Sequence, residues 1–556
     1  MEKKRILPIS VSLGEVMPAK KGAQQSPLFE VSPRWMQRAA EGIASRNGML
    51  LTDFVVHAEM GEALTIRDMP EHSGIEPAID QLRQRLLDSV EQAVGETRVP
   101  PSGHADDVKE RQLFVEVVLR VAITGALVKY YTESYSIKDA DDSKGGDDRQ
   151  ERKQWITQLT KDRFALGLLH VFEVFQEVHS MRRTNYQHRQ SNTTVGTVGW
   201  DTLLLLHFVH RIPCAARDAS PGVIDEATGR IVRSWRKLLQ SLQVVDPGLS
   251  PEFSRRRGAL AVCNGLLSIL FRRYNVHQCR VLINTIVQAE RVTETGGAAG
   301  REVLKPAQHM TSEVLTFYYY KGRVALYDHQ AREAFAALQQ AYQLLPPPGS
   351  GNIVQHRNKQ RVRFFLTVAG VVSGRMPPEE IQQRDDLIVY IFQPILKAIQ
   401  RGDPRAFSIA VDAYGPILRR RGVYFILQRA KLLCFLILVA RVHATMDACG
   451  EDSTRIPLRV LTTMYINIAR EGKMIADQDS AARETTERRP KRQRNEDEVD
   501  DGLALTDSEM TWWVAKLIST GLLRGYISCE HKVVVLSRQN PFPTLVAGES
   551  AAPLQG

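Results

Sequence analysis

The chain has 556 residues, 43% of them hydrophobic, with 73 Lys and Arg against 63 Asp and Glu for a formal net charge of +10 at pH 7. That length exceeds what one compact core usually holds, so two or three domains or one extended helical array is expected, and the positive excess favours polyanionic partners such as nucleic acid. The six cysteines form no CxxC pair, which excludes a zinc ribbon and a disulfide framework, and the most apolar run, residues 432–440 between Lys431 and Arg441, is too short to span a bilayer.

Residues 1–75 read as a loosely ordered N-terminus, because the first fifty lack periodicity and are rich in small, polar and proline residues. The start, MEKKRILPISVSLGE, has basic residues but no sustained apolar core, so no secretory leader is expected. Residues 76–250 read as a helical region with charged loops. Ile79, Leu82, Leu86, Val90 and Val94 recur at threes and fours and predict a helix over 76–97. A Pro/Gly linker follows at 98–107, then helices over 112–131, 156–178 and 200–211. The charged stretch 136–153 and the polar, basic stretch 180–197 read as loops. Strands never alternate with helices, which argues against a doubly wound sheet.

Residues 251–422 are denser in helical pattern. Two helices are expected between 254 and 290, broken at 274–276. An antiparallel pair follows at 315–327 and 331–344, with Gly322 and Ala325 facing Ala334, Ala337 and Ala341. Phe317, Tyr320, Tyr327, Phe335 and Tyr342 fill the gaps. PPPGSG ends that hairpin. Further pairs are predicted at 361–372 with 379–390, around Pro377 and Pro378, and at 392–400 with 405–414. Hairpins recurring every ~35–45 residues predict a mainly α protein built as an α-solenoid of TPR-like hairpins, which needs a cap.

The cap is expected over 423–545 as a winged helix. Helices are predicted over 423–442, over 457–469 with Pro457 in the first turn, and over 506–523. Thr506 and Glu509 form a capping box, Met510, Trp513, Val514, Leu517 and Ile518 make one apolar face, and Gly521 marks the stop. GYIS and KVVVLS then form a hairpin across Cys529, Glu530 and His531. A charged insertion, 471–501, divides the cap, and 546–556 reads as a disordered tail.

Five stretches carry a resemblance. They are CNGLLSILFRRYNVHQCRVLI (263–283), YYYKGRVALYDHQAREAFAALQQAY (318–342), NKQRVRFFLTVAGVVSGRMPP (358–378), ILKAIQRGDPRAF (395–407) and GLLRGYISCEHKVVVLSRQNPFP (521–543). With these the chain resembles PCI-domain proteins, specifically the PCI domain-containing protein 2 branch of the transcription-and-export complex 2, related to signalosome subunit-twelve-like proteins. The insertion at 471–501 and the loops near Asp139 and Gly296 depart from that branch. The resemblance implies a scaffold subunit coupling transcription to mRNA export in the nucleus, at or near the nuclear pore and with some cytoplasmic pool. It implies a GANP-type PCI scaffold and a small acidic Sem/DSS-type protein as partners in a hetero-oligomer, with no membrane. Adjacent winged helices would form a basic platform for RNA or DNA.

Candidate residues follow. Lys516, Arg524, Lys532 and Arg538 in the cap, and Arg419, Arg420 and Arg421 just before it, are candidate phosphate contacts. Arg488, Arg489, Lys491, Arg492 and Arg494 within RRPKRQR suggest a nuclear-import signal. Arg255, Arg256, Arg257, Arg272 and Arg273 are candidates to receive an acidic partner. The aromatic run 317–320 reads as core, whereas Trp512, beside Trp513, points away from the apolar face and is a candidate partner contact. GGAAG at 296–300 lacks the Lys-Ser/Thr of a phosphate-binding loop, His207 and His210 belong to no HExxH, and no GxSxG occurs. No enzymatic activity, cofactor or metal is therefore expected. A signalosome-like or splicing-linked PCI subunit, or a stand-alone RNA-binding protein, are the alternatives.

Overall fold

The computed structural model describes residues 29–66, 75–96, 105–141, 146–188, 200–242, 258–294, 309–346, 353–375, 386–484 and 505–543. The chain divides into two compact units, Met1–Phe317 and Tyr318–Gly556.

The first unit opens with β1 (Phe29–Val31), α1 (Pro33–Ala44), α2 (Gly48–Glu59) and β2 (Leu64–Ile66). β1 and β2 pair antiparallel, Phe29 opposite Ile66. Asn47 caps α2 by accepting the Leu50 N–H. Trp35, Ala39, Ala40 and Ile43 of α1 are buried, and the Trp35 ring lies 4.2 Å from that of Phe54. The expectation of loose order is therefore corrected over 29–66. Small residues, which weaken periodicity in the sequence, are what let α1 and α2 approach closely.

α3 (Ile75–Glu96), α4 (Ala105–Asp141), α5 (Gly146–His188), α6 (Thr202–Arg217) and α7 (Pro221–Leu242) follow. α4 buries Phe114, Val115, Val117, Val118, Val121 and Ala122, on more than one face, so it is the central helix. α4 and α5 run well into the stretches expected as charged loops, because Lys, Arg, Glu and Gln suit a helix once its core is anchored. α7 was not anticipated, although Ile231, Trp235, Leu238 and Leu242 carry the helical spacing and are buried.

α8 (Ala259–Arg272) and α9 (Val276–Glu294) break where expected, at Tyr274. Both helices belong to the first unit, which runs to Phe317. Gly265 lies so close to the Trp235 indole that a Cβ would come within 2.3 Å of it. All six cysteines are free, with Cys263, Cys279 and Cys434 buried.

α10 (Thr311–Tyr327) crosses into the second unit, which continues through α11 (Ala331–Gln343), α12 (Ile353–Ser373), α13 (Asp386–Arg401) and α14 (Pro404–Ala413). Ala334, Ala337 and Ala341 are fully buried, and Gly322 packs on Leu338. α13 is one helix carrying Pro394 inside it, where two helices meeting near residue 391 were expected. Ile388, Ile391, Phe392, Ile395 and Ile399 bury one continuous face, which outweighs the backbone bond that Pro394 removes. At the α13–α14 turn Gly402 has φ +70° and lies against α17 (Lys431–Ala448), where a Cβ would meet the Leu438 nitrogen at 3.0 Å. Asp403 then caps α14, its carboxylate accepting the N–H of Arg405 and of Ala406 at 2.9 Å each.

α15 (Gly415–Arg420) and α16 (Tyr424–Gln428) precede α17, so the helix expected over 423–442 is two. β3 (Arg455–Pro457) leads into α18 (Leu458–Glu484), and α19 (Asp507–Ser519) is followed by β4 (Gly525–Ser528) and β5 (Val533–Leu536). Pro457 is thus the last residue of a strand, not the first turn of a helix, and α18 continues into the stretch expected as insertion. A three-residue strand is too short for alternation to show. The sheet order is β3-β5-β4, all antiparallel. Ile456, Val534 and Leu536 are buried in the same hydrophobic core as Met510, Val514 and Leu517 of α19. The Thr462 hydroxyl donates to the Asp507 carboxylate at 2.8 Å, fixing the start of α19 beside the start of α18.

Candidate nucleic-acid interface

α19 is held from its N-terminal end. Thr506 Oγ1 accepts the Glu509 N–H, and the Glu509 carboxylate accepts the Thr506 N–H at 2.9 Å, completing the expected capping box. Those Thr506 bonds, first the backbone one, hold the Glu509 carboxyl below its ordinary value. The first turn of α19 is therefore negative, and any polyanion must meet the module elsewhere.

The cations lie toward the other end. Lys516 is exposed in the last turn of α19. The chain then passes through Gly521, at φ +72°, to Arg524. The Arg524 N–H donates to the Pro541 carbonyl and the Ser537 N–H to the Arg524 carbonyl, both at 2.9 Å, so exposed Arg524 and Arg538 share the foot of the β4–β5 hairpin. The Phe542 ring stands edge-on to His443 of α17 at 5.5 Å, which seats the NPFP segment. Lys532 is at the opposite end of the hairpin, four paired residues or ~13 Å away. It adopts φ +54°, and its carbonyl accepts the Leu458 N–H at 2.9 Å. The structure thus gathers Arg524 and Arg538 and sets Lys532 apart at the tip.

Two features escaped the sequence reading. Arg455 and Tyr526 flank Val535 in one row across the three strands, and both are exposed. No pattern within the three residues of β3 could have announced that row. Asp452 is the other. Its carboxyl is held below its ordinary value first by the Thr454 hydroxyl, then by the Thr454 N–H, and further by Arg455 and Arg538. A persistent negative charge thus offsets part of the cationic foot.

The three arginines 419–421 are divided. The Arg419 guanidinium lies 4.4 Å from the Tyr424 ring centroid and that of Arg421, half-buried, lies 4.3 Å from the Phe364 ring, while Arg420 is exposed. Arg421 thus braces the aromatic core as a cation over a ring. Trp512 is 58% exposed, edge-on to Trp513 at 4.7 Å. Phe317 and Tyr318 are buried and Tyr319 and Tyr320 half-buried. RRPKRQR, with Arg488, Arg489, Lys491, Arg492 and Arg494, lies outside the described residues, as do Arg255, Arg256 and Arg257.

His207 Nε2 lies 2.7 Å from one Glu59 carboxylate oxygen and the other oxygen accepts from Arg211 Nε at 3.0 Å, so this histidine serves a structural polar cluster between α2 and α6. Among the described residues no group of three His, Cys, Asp or Glu is placed to hold a metal ion, and no helix is long and apolar enough to cross a membrane.

No protein-family model matches the chain. Curated proteins do. The chain is 21% identical over 376 residues to PCI domain-containing protein 2 of Xenopus laevis, an alignment covering 66% of this chain and 77% of that one. It is 23% identical over 330 residues to the PCI domain-containing protein 2 homolog of Drosophila melanogaster, covering 59% and 67%. It is 24% identical over 294 residues to the Protein CSN12 homolog of Schizosaccharomyces pombe, covering 53% of this chain and 57% of that protein. With these relatives spread over more than half its length, the chain is a relative of the PCI domain-containing protein 2 branch.

Proposed function

We propose that the chain is a non-catalytic scaffold subunit of a nuclear mRNA-export complex, and that α18, α19 and the β3-β5-β4 sheet form a winged helix offering nucleic acid a basic surface. The observation that carries this reading is the pairing of exposed Arg524 and Arg538 at the hairpin foot, with Lys516 on the adjoining helix turn and Lys532 at the tip. The surface is carried by arginine and lysine, so binding rests on phosphates and falls with salt. A GANP-type PCI scaffold and a small acidic Sem/DSS-type protein are the partners in this reading, and RRPKRQR directs import to the nucleus.

Charge reversal tests the surface. The double variant Arg524→Glu, Arg538→Glu should weaken RNA or DNA binding by the reconstituted complex at least tenfold and flatten its salt dependence. Unchanged binding would refute the assignment. Affinity purification tests the assembly, with a GANP-type scaffold expected among the recovered proteins. A second reading, a signalosome-like or splicing-linked PCI subunit, is favoured by the likeness to Protein CSN12 homologs. Recovery of signalosome or splicing subunits without a GANP-type scaffold would select it.

A further inference from the structure

The turn between α8 and α9 places a tyrosine where the backbone favours glycine. The Asn275 N–H donates to the Leu270 carbonyl at 3.0 Å and the Tyr274 N–H to the Phe271 carbonyl at 3.1 Å, the closure that ends a helix in a left-handed residue. That residue is Tyr274, at φ +57°. A Cβ is disfavoured there, and Gly or Asn are the usual occupants. Burial does not repay the strain, because Tyr274 is 87% exposed, the most exposed large apolar or aromatic residue among those described. A strained, exposed ring that contributes nothing to the core points to a role outside the fold.

The surroundings say what it meets. Asp225 of α7 accepts the Arg273 guanidinium, and three turns on Arg236 Nη2 donates to Gln278 Oε1 at 2.7 Å. Residues 225, 229, 233 and 236 therefore form the stripe of α7 that runs along this turn. Arg233, on that stripe, is exposed and lies over Gly229, which offers no side chain to cover it. Arg272 and His277 are exposed on the turn's own helices. The nearby acids are already engaged, Asp225 by Arg273 and Glu226 by Arg230 at 3.6 Å. The result is a projecting phenol on a turn with Arg272 exposed two residues before it and Arg233 exposed on the α7 stripe that runs along it.

We propose that this turn is a nucleic-acid contact of the first unit, independent of the hairpin module, in which Tyr274 stacks on an unpaired base and Arg233 and Arg272 take the flanking phosphates. The ligand class is single-stranded nucleic acid. A lone projecting ring stacks on a base only where that base has left its helix, and base–aromatic stacking tolerates any sequence. An acidic protein segment would satisfy the cations but leave the strained ring without a function.

Photo-crosslinking of the full chain to an oligouridylate carrying 5-iodouracil, with adducts mapped by mass spectrometry, tests this. An adduct at Tyr274 is expected. Affinity is measured in the Arg524→Glu, Arg538→Glu background, so that the hairpin module does not contribute. There Tyr274→Asn and Tyr274→Gly, which suit the left-handed turn, should weaken oligouridylate binding about tenfold, while the melting temperature holds or rises. Arg233→Glu should weaken it as well. Adducts confined to residues 505–543, or equal affinity for Tyr274→Asn, would overturn the proposal. So would displacement of the oligonucleotide by duplex DNA or by polyglutamate as effectively as by unlabelled oligouridylate.

Discussion

The indole of Trp513 lies 4.4 Å from the phenyl ring of Phe435 and within 16° of parallel to it. Lys431 completes the arrangement with its ammonium 5.4 Å from the indole centroid. This stack joins α19 to α17. Phe435 is 2% exposed, so Phe435→Ala should cost about 3–5 kcal/mol in urea denaturation of the chain. Trp512→Ala, at a largely exposed neighbour, should stay within about 0.5 kcal/mol. Equal costs for the two would show that the stack does not join the helices.

Gly402 and Gly521 share nearly the same backbone angle, φ +70° and +72°. Only Gly402 also faces backbone, the Leu438 nitrogen 3.0 Å from where a Cβ would stand, whereas Gly521 faces open space. Gly521→Ala should therefore lose about 1 kcal/mol from strain alone, and Gly402→Ala clearly more, about 2 kcal/mol or above. Thermal melting of the two variants measures the difference.

Acid should loosen the junction of α3 with α4. Burial pushes the Glu116 carboxyl up, but the guanidinium groups of Arg83 and Arg120 outweigh it and hold the group below its ordinary value. A carboxyl whose folded value is depressed stabilises the fold above its unfolded value, and that contribution disappears as pH falls through the folded one. The melting temperature of the native chain should thus drop more steeply below about pH 4.5 than that of Glu116→Gln. Parallel curves would count against the ion bridge.

Asp452 offers a gain-of-binding variant. If the hairpin foot meets phosphates, Asp452→Asn removes the negative charge beside Arg538 and should tighten RNA binding several-fold at low salt, with a steeper salt dependence. Filter binding across a salt series reads both quantities, and weaker binding would place the nucleic acid elsewhere.

The α8–α9 break, the α10–α11 pair and the capping box were legible because each is written in adjacent residues. Thr506 with Glu509, the Tyr274 break, and the Gly322 and Ala334 pairing all depend on spacings of a few positions. Features made by distant partners were not. β3 acquires meaning only beside β5, α1 and α2 only by packing on each other, and the Gly265 contact of α8 only through Trp235 thirty residues upstream. Among the basic residues, exposure was foreseen, but not that Arg419 and Arg421 lie over rings or that Asp452 sits beside Arg538.

The Thr462–Asp507 bond, with α18 running on to Glu484, sets a rule of length for what lies between. The chain leaves α18 some 33 Å beyond Thr462, at 1.5 Å per residue, and must come back to its side before α19 begins. At full extension that return needs about ten residues. Residues 485–506 exceed this roughly twofold, so excising residues 488–494 leaves enough to close the circuit. Loss of nuclear accumulation after that excision would thus report a lost address and not a broken fold. Removing the whole return would force α18 to unravel from its far end.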